Sequence, residues 1–97
     1  MTTPESKVKA KLKQALKELP HPFYQFWPVQ TGMGAPTLDM LGCYKGNFIA
    51  IETKARGKHM TPRQVATTED IHAACGTWYV VDDDVSIGYV IERIQCL

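Results

Sequence analysis

Leu38-Asp39-Met40-Leu41-Gly42-Cys43-Tyr44-Lys45-Gly46-Asn47-Phe48-Ile49-Ala50-Ile51-Glu52-Thr53-Lys54 is the stretch on which the fold turns. Two apolar runs flank a short break, Lys45-Gly46-Asn47, that contains a glycine. Runs of bulky and β-prone residues separated by such a break read as a β-hairpin. A Lys45-Gly46 loop sets Tyr44 opposite Asn47, and counting back then sets Asp39 opposite Glu52. A Gly46-Asn47 loop instead sets Asp39 opposite Lys54, with Glu52 one same-face step away. Either two-residue loop puts Asp39, Glu52 and Lys54 on one face, because strand side chains alternate with period two. A three-residue loop would not.

Two carboxylates facing each other across a strand pair lie about 5 Å apart, and at an effective dielectric near 20 they repel by roughly 3 kcal/mol. A small protein tolerates that when something positive sits between them. A hard divalent cation suits carboxylate oxygens and keeps several waters. Lys54 adds a fixed positive charge beside it. Two acids and a lysine around a hydrated cation form an arrangement suited to phosphodiester cleavage, in which the cation activates water and neutralises phosphate while lysine positions the nucleophile. The plainer reading makes Asp39 a turn residue and Glu52 and Lys54 solvated charges at a strand end.

Ninety-seven residues make a single domain, 1–97, with one modest core. No apolar run is long enough to span a membrane and no signal-peptide pattern opens the sequence. Cys43, Cys75 and Cys96 form no C-x-x-C pair, which fits reduced thiols in the cytoplasm and no zinc site. A net charge of +1 does not announce nucleic-acid binding, but the charge is uneven. Lys7, Lys9, Lys11, Lys13 and Lys17 crowd the first predicted helix. Lys54, Arg56, Lys58 and Arg63 follow the hairpin, and Asp82-Asp83-Asp84 lies in the last third. Local basic stretches supply phosphate contacts without high overall charge.

Thr3-Pro4-Glu5 opens that helix, with Thr3 as cap and Pro4 at its first position. Val8, Leu12, Leu16 and Leu19 recur at helical spacing and form its packing face. Glu5 falls on the same stripe and points toward the body of the protein. Pro20 and Pro22 stop the helix. Residues 23–30 read as a first strand whose aromatics pack in the core, with a base-stacking platform as the alternative. Pro28 marks a sheet edge or the strand end. Residues 31–37 form a loop whose glycines permit close approach of a phosphate. Beyond the hairpin, 55–60 is a basic loop. Thr61-Pro62 opens a second helix that runs to Ala74 or Cys75, where Gly76 ends it. Residues 77–81 read as a buried strand. An acid among Asp82–Asp84 caps a last helix, 85–95, packed through Ile87, Val90, Ile91 and Ile94. His21 and His72 read as structural or exposed, and His59 and His72 lack the spacing of a zinc site. The order is α-β-β-β-α-β-α, an α/β domain with a central mixed sheet flanked by helices.

Asp39 followed by Ile51-Glu52-Thr53-Lys54 resembles the signature of the PD-(D/E)xK nuclease superfamily, with its restriction-endonuclease-like core. Gly32-Met33-Gly34 before Asp39, Phe48-Ile49-Ala50-Ile51-Glu52 before Thr53-Lys54, and Thr61-Pro62-Arg63-Gln64 afterwards are similar to the VRR-NUC domain, especially its small stand-alone, mostly phage-encoded versions. The resemblance spans nearly the whole chain. It implies a Mg²⁺- or Mn²⁺-dependent DNA endonuclease acting on branched DNA in the manner of a Holliday-junction resolvase, as a homodimer. Glu5, Asp39 and Glu52, with the backbone carbonyl of Thr53, would hold the metal directly or through water. Lys54 would orient the attacking water and Gln64 would support the site. Lys9, Lys13, Arg56, Lys58, His59 and Arg63 are the expected phosphate contacts. One departure stands out: relatives carry Pro immediately before the metal aspartate, where this chain has Leu38. That proline shapes the chain and is not a ligand. A non-catalytic nucleic-acid-binding module that keeps the fold, or a structural partner in a larger complex, are the competing readings.

Overall fold

The computed structural model describes residues 3–30 and 34–97. Seven elements follow one another in the expected order: α1 (Pro4–Lys17), β1 (Phe23–Phe26), β2 (Met40–Tyr44), β3 (Asn47–Thr53), α2 (Pro62–Ala73), β4 (Thr77–Val81) and α3 (Asp84–Gln95). The strands form one mixed sheet in the order β1-β2-β3-β4. The first two pairings are antiparallel, and β3 pairs with β4 in parallel through the α2 crossover.

The hairpin adopts the first of the two loop registers. Tyr44 pairs with Asn47 and Met40 with Ile51, so the loop is Lys45-Gly46. Both loop residues have positive φ, 51° and 81°, which is the type I′ turn whose twist matches the strands it joins. Lys45 accepts a left-handed conformation unusual for its type so that the register holds.

Each helix opens on a capping residue of the kind its sequence predicts. Thr3, Thr61 and Asp83 cap α1, α2 and α3, and each shares a reciprocal capping box with the third helical residue. One sheet face carries Met40, Tyr44, Ile49, Ile51 and Val81. It meets Val8, Leu12, Leu16 and Leu19 from the α1 segment and Ile87, Val90 and Ile94 from α3 to make the core. The opposite face is covered by α2 only toward β3 and β4.

Five expectations need correction. The first strand is Phe23–Phe26 rather than 23–30, because the chain leaves the sheet before Pro28, which has no N–H for a ladder. Phe23 and Trp27 pack against the core, whereas Tyr24 and Phe26 project from the uncovered face and are 68 % and 50 % exposed. Residues 77–81 form an edge strand, so apart from Val81 they are only half-buried. Helix α2 ends at Ala73, and the left-handed residue behind it is Cys75, with φ 64°. Gly76 is required for packing instead: a Cβ there would lie 2.8 Å from Ile71 Cγ2 and 3.0 Å from Phe48 Cδ1. Helix α3 starts one residue early, at Asp84, with Asp83 as its cap. Within the proposed phosphate loop, Thr31, Gly32 and Met33 lie outside the described residues.

Candidate active site

Four element ends converge at one edge of the domain: the start of β2, the end of β3, and the first turns of α1 and α2. Because Met40 pairs with Ile51, the next step outward sets Asp39 beside Glu52. Both are buried. The Asp39 backbone N–H donates to Glu52 Oε1 at 3.1 Å, so the two acids are tied together as well as adjacent. Lys54, two residues further along β3, brings its Nζ to 3.6 Å from Glu52 Oε2 with a side chain only 12 % exposed. The expected grouping of Asp39, Glu52 and Lys54 is therefore present.

Gln64 joins them from α2. Its Oε1 accepts the Thr61 N–H at 2.9 Å, completing the capping box, and its Nε2 donates to Glu52 Oε2 at 2.8 Å. One side chain thus both starts the helix and fixes the glutamate. Its orientation is determined, since only the amide oxygen can accept from Thr61 and only the amide nitrogen can donate to a carboxylate. Gln64→Glu is expected to lower stability by about 2 kcal/mol near pH 8 by setting a third carboxylate against Glu52. The loss shrinks at pH 5, where a shared proton relieves the contact; thermal melts at the two pH values measure both.

The electrostatics follow from this crowding. Burial pushes the Glu52 carboxyl up to about 7, the neighbouring Asp39 pushes in the same direction, and Lys54 opposes them. Asp39 is held from several sides. Its Oδ2 accepts from the Thr53 N–H at 3.0 Å and the Thr53 hydroxyl at 2.6 Å. Its Oδ1 accepts from Gln30 Nε2 at 2.8 Å and lies 3.9 Å from Lys9 Nζ. Gln30 and the Thr53 hydroxyl are contributions that sequence reasoning missed. Nothing in the spacing marks Gln30, which reaches Asp39 only after the chain has left β1.

The remaining candidates divide. Glu5 is half-exposed on α1 and pairs with Lys9 at 3.9 Å, so it flanks the acid pair across that lysine. Among the described residues no three acids, histidines or cysteines stand close enough to hold a cation by direct bonds alone. The donor set of Asp39 and Glu52 nevertheless fits a hard divalent cation. Two carboxylates meet at a partly enclosed site, one of them held back from ionising by burial and by the other, and a doubly charged ion removes that penalty while water completes its shell. Lys13 lies over the Trp27 ring at 4.7 Å and lines a depression with Lys9 and Asp39. Arg63 donates to the Gly34 carbonyl at 3.3 Å and, with Gln30 and Gln64, lines a small open pocket leading away from the site. Arg56 is elsewhere: it borders a depression with Lys7, Lys11 and Asp82–Asp84, and its charge helps hold the Asp83 carboxyl below its ordinary value behind the Ser86 hydrogen bonds. Lys58 and His59 are exposed on the loop after β3. His21 and His72 are exposed, as expected.

No protein-family model matches this sequence, and no curated protein does. Among solved structures, one described as "VRR_NUC domain" superposes with a TM-score of 0.77 over 95 % of this chain and 98 % of its own length, at 18 % identity. The element order, the mixed four-stranded sheet and this superposition agree: the chain has the VRR-NUC nuclease fold.

Proposed function

We propose that this protein is a Mg²⁺- or Mn²⁺-dependent DNA endonuclease that cuts branched DNA such as a four-way junction. The observation that carries the reading is the meeting of Asp39, Glu52, Lys54 and Gln64 at one sheet end, in a VRR-NUC fold. Asp39 and Glu52 would hold the cation, with the Thr53 carbonyl as a further oxygen and Glu5 contributing through water. The bound cation would supply acidified water and neutralise charge on the scissile phosphate. Lys54 then orients the attacking water and offsets charge developing on the phosphoryl oxygens. Gln64 fixes the Glu52 carboxylate so that its free lone pairs face the site, and Gln30 and Thr53 do the same for Asp39. The exposed cations near the site, Lys9, Lys13 and Arg63, track the DNA backbone, with Arg56, Lys58 and His59 further out.

A homodimer suits a four-way junction, because paired nicks need two sites related by a two-fold axis. The uncovered sheet face supports such an assembly. Tyr24, Phe26 and Phe48 are exposed there around Leu41, and the same face runs on into an apolar groove beside α2 lined by Ile71 and Ala74. Among the described residues no helix is long and apolar enough to cross a membrane, and the exposed free cysteines suit a reducing cytoplasm.

A labelled four-way junction, a matched linear duplex and a single strand, each with Mg²⁺, Mn²⁺ or EDTA, test the reading. Metal-dependent symmetric nicks on the junction are expected. Lys54→Ala should lower the cleavage rate by about 10²–10³-fold with junction binding retained. Binding without cutting in any metal would identify a nucleic-acid-binding module on a nuclease fold.

A further inference from the structure

Lys9 stands where a cation belongs. Its Nζ lies 3.9 Å from Asp39 Oδ1 and 3.9 Å from Glu5 Oε2, so one ammonium bridges two acids assigned to the metal site. Asp39 Oδ2 is taken by the two Thr53 donors, whereas among the described residues Oδ1 accepts only from Gln30 Nε2, at 2.8 Å, which leaves its second lone pair for an incoming ion. The ammonium is held loosely. At 3.9 Å it is an ion-pair neighbour, outside the 2.7–2.9 Å typical of a short charge-assisted hydrogen bond, and its side chain is about one-third exposed. Lys9, Lys13, Trp27, Gln30 and Asp39 line a single open depression, so the flexible lysine stem can turn outward along Lys13 without moving the helix.

We propose that Lys9 is a built-in competing cation at Asp39, displaced by the divalent metal, and that the released ammonium then engages the DNA backbone, coupling metal loading to DNA binding. The inference rests on the metal-dependent reading above. Lys9 cannot neutralise Asp39 and a phosphate with the same charge at once. A DNA backbone that draws Lys9 outward clears Asp39 for the metal, and a bound metal repels Lys9 toward the DNA. Linkage requires the two effects to be equal. Metal-free protein thereby keeps Asp39 and Glu5 compensated by Lys9, and metal loads more tightly once DNA is bound.

Mn²⁺ titration calorimetry on the full chain, without DNA, tests the displacement. Lys9→Gln is expected to bind Mn²⁺ about fivefold more tightly than wild type, while Lys9→Arg, which keeps the charge, stays near the wild-type value. Junction binding by fluorescence anisotropy in the slow-cutting Lys54→Ala background should strengthen with Mn²⁺, and adding Lys9→Gln should remove most of that gain. Unchanged or weaker Mn²⁺ binding in Lys9→Gln, with binding lost in Glu52→Gln, would overturn the competition while leaving the metal site standing. Mn²⁺ binding that is absent in wild type would overturn both.

Discussion

Glu52→Gln is expected to lower junction cleavage by about 10³-fold or more, with junction binding changed only a few-fold. The substitution keeps the side-chain length and an oxygen able to accept the Asp39 N–H. It removes one of the two charges that would hold the cation, and several kcal/mol of transition-state stabilisation, at about 1.4 kcal/mol per tenfold, corresponds to this loss. Gel-based single-turnover cleavage beside anisotropy on the same junction separates the two effects. Equal cleavage by variant and wild type would take Glu52 out of the mechanism.

The same variant reports on pH. Glu52 titrates near 7 in the folded protein and at an ordinary 4.5 when unfolded. Between those values the folded state holds the extra proton, so stability falls as pH rises through the window. Below about 4.5 both states are protonated and the contribution is flat. In the metal-free protein the loss is on the order of 3 kcal/mol by pH 7. The Tm difference between wild type and Glu52→Gln across this range isolates it. A divalent cation reverses the trend, because the cation requires the ionised carboxylate. Metal affinity should therefore weaken as pH drops below 7.

Gly42→Ala is expected to be the most damaging small change to the fold. Gly42 is buried in β2, and a Cβ there would lie 2.4 Å from the Tyr24 carbonyl oxygen and 2.5 Å from Phe23 Cε1. A backbone oxygen cannot turn away as a flexible side chain can. Relief requires β1 to separate from β2, and β1 is a four-residue edge strand with no other partner in the sheet. Its loss would also release Phe23 from its stack on Tyr44, at 5.8 Å, and would loosen the path to Gln30 and hence the support of Asp39. About 3 kcal/mol or more is expected, lowering Tm by roughly 15 °C. Gly46→Ala is the control. Its φ of 81° is strained for alanine, but its Cβ meets nothing within 4 Å, so only the backbone preference, about 1 kcal/mol, is lost. Comparable melts for the two variants would refute the clash.

Features set by local chemistry were legible in the sequence. Three helix starts followed from a capping residue, twice with proline behind it. The hairpin followed from a glycine turn, and the shared face of Asp39, Glu52 and Lys54 from strand parity. Non-local features were harder. Gln30 reaches Asp39 across a loop, and no pattern in the chain announces that contact. Lys9 reads as one more solvated lysine until the first helix is docked on the sheet. Arg56 sits in a run of basic residues that appears uniform in sequence, yet the chain after β3 directs it toward Asp82–Asp84. Tyr24 and Phe26 have core-forming side chains but lie on the part of the sheet face that α2 leaves uncovered. Burial depends on which elements the topology leaves uncovered, and composition does not encode that.

The Lys45-Gly46 turn makes the candidate site a matter of counting. Five steps back from Tyr44 lead to Asp39, and five steps on from Asn47 lead to Glu52. Substitution within the hairpin can be extensive without disturbing this arithmetic, and a solved structure only 18 % identical in sequence has the same architecture. Insertion or deletion is different. A single residue gained or lost in the turn changes the parity of one arm and sends one acid to the far side of the sheet, unless a bulge restores it. For a lineage built on this scaffold, spacing is the inherited quantity, and gaps in an alignment of the hairpin would carry more meaning than mismatches.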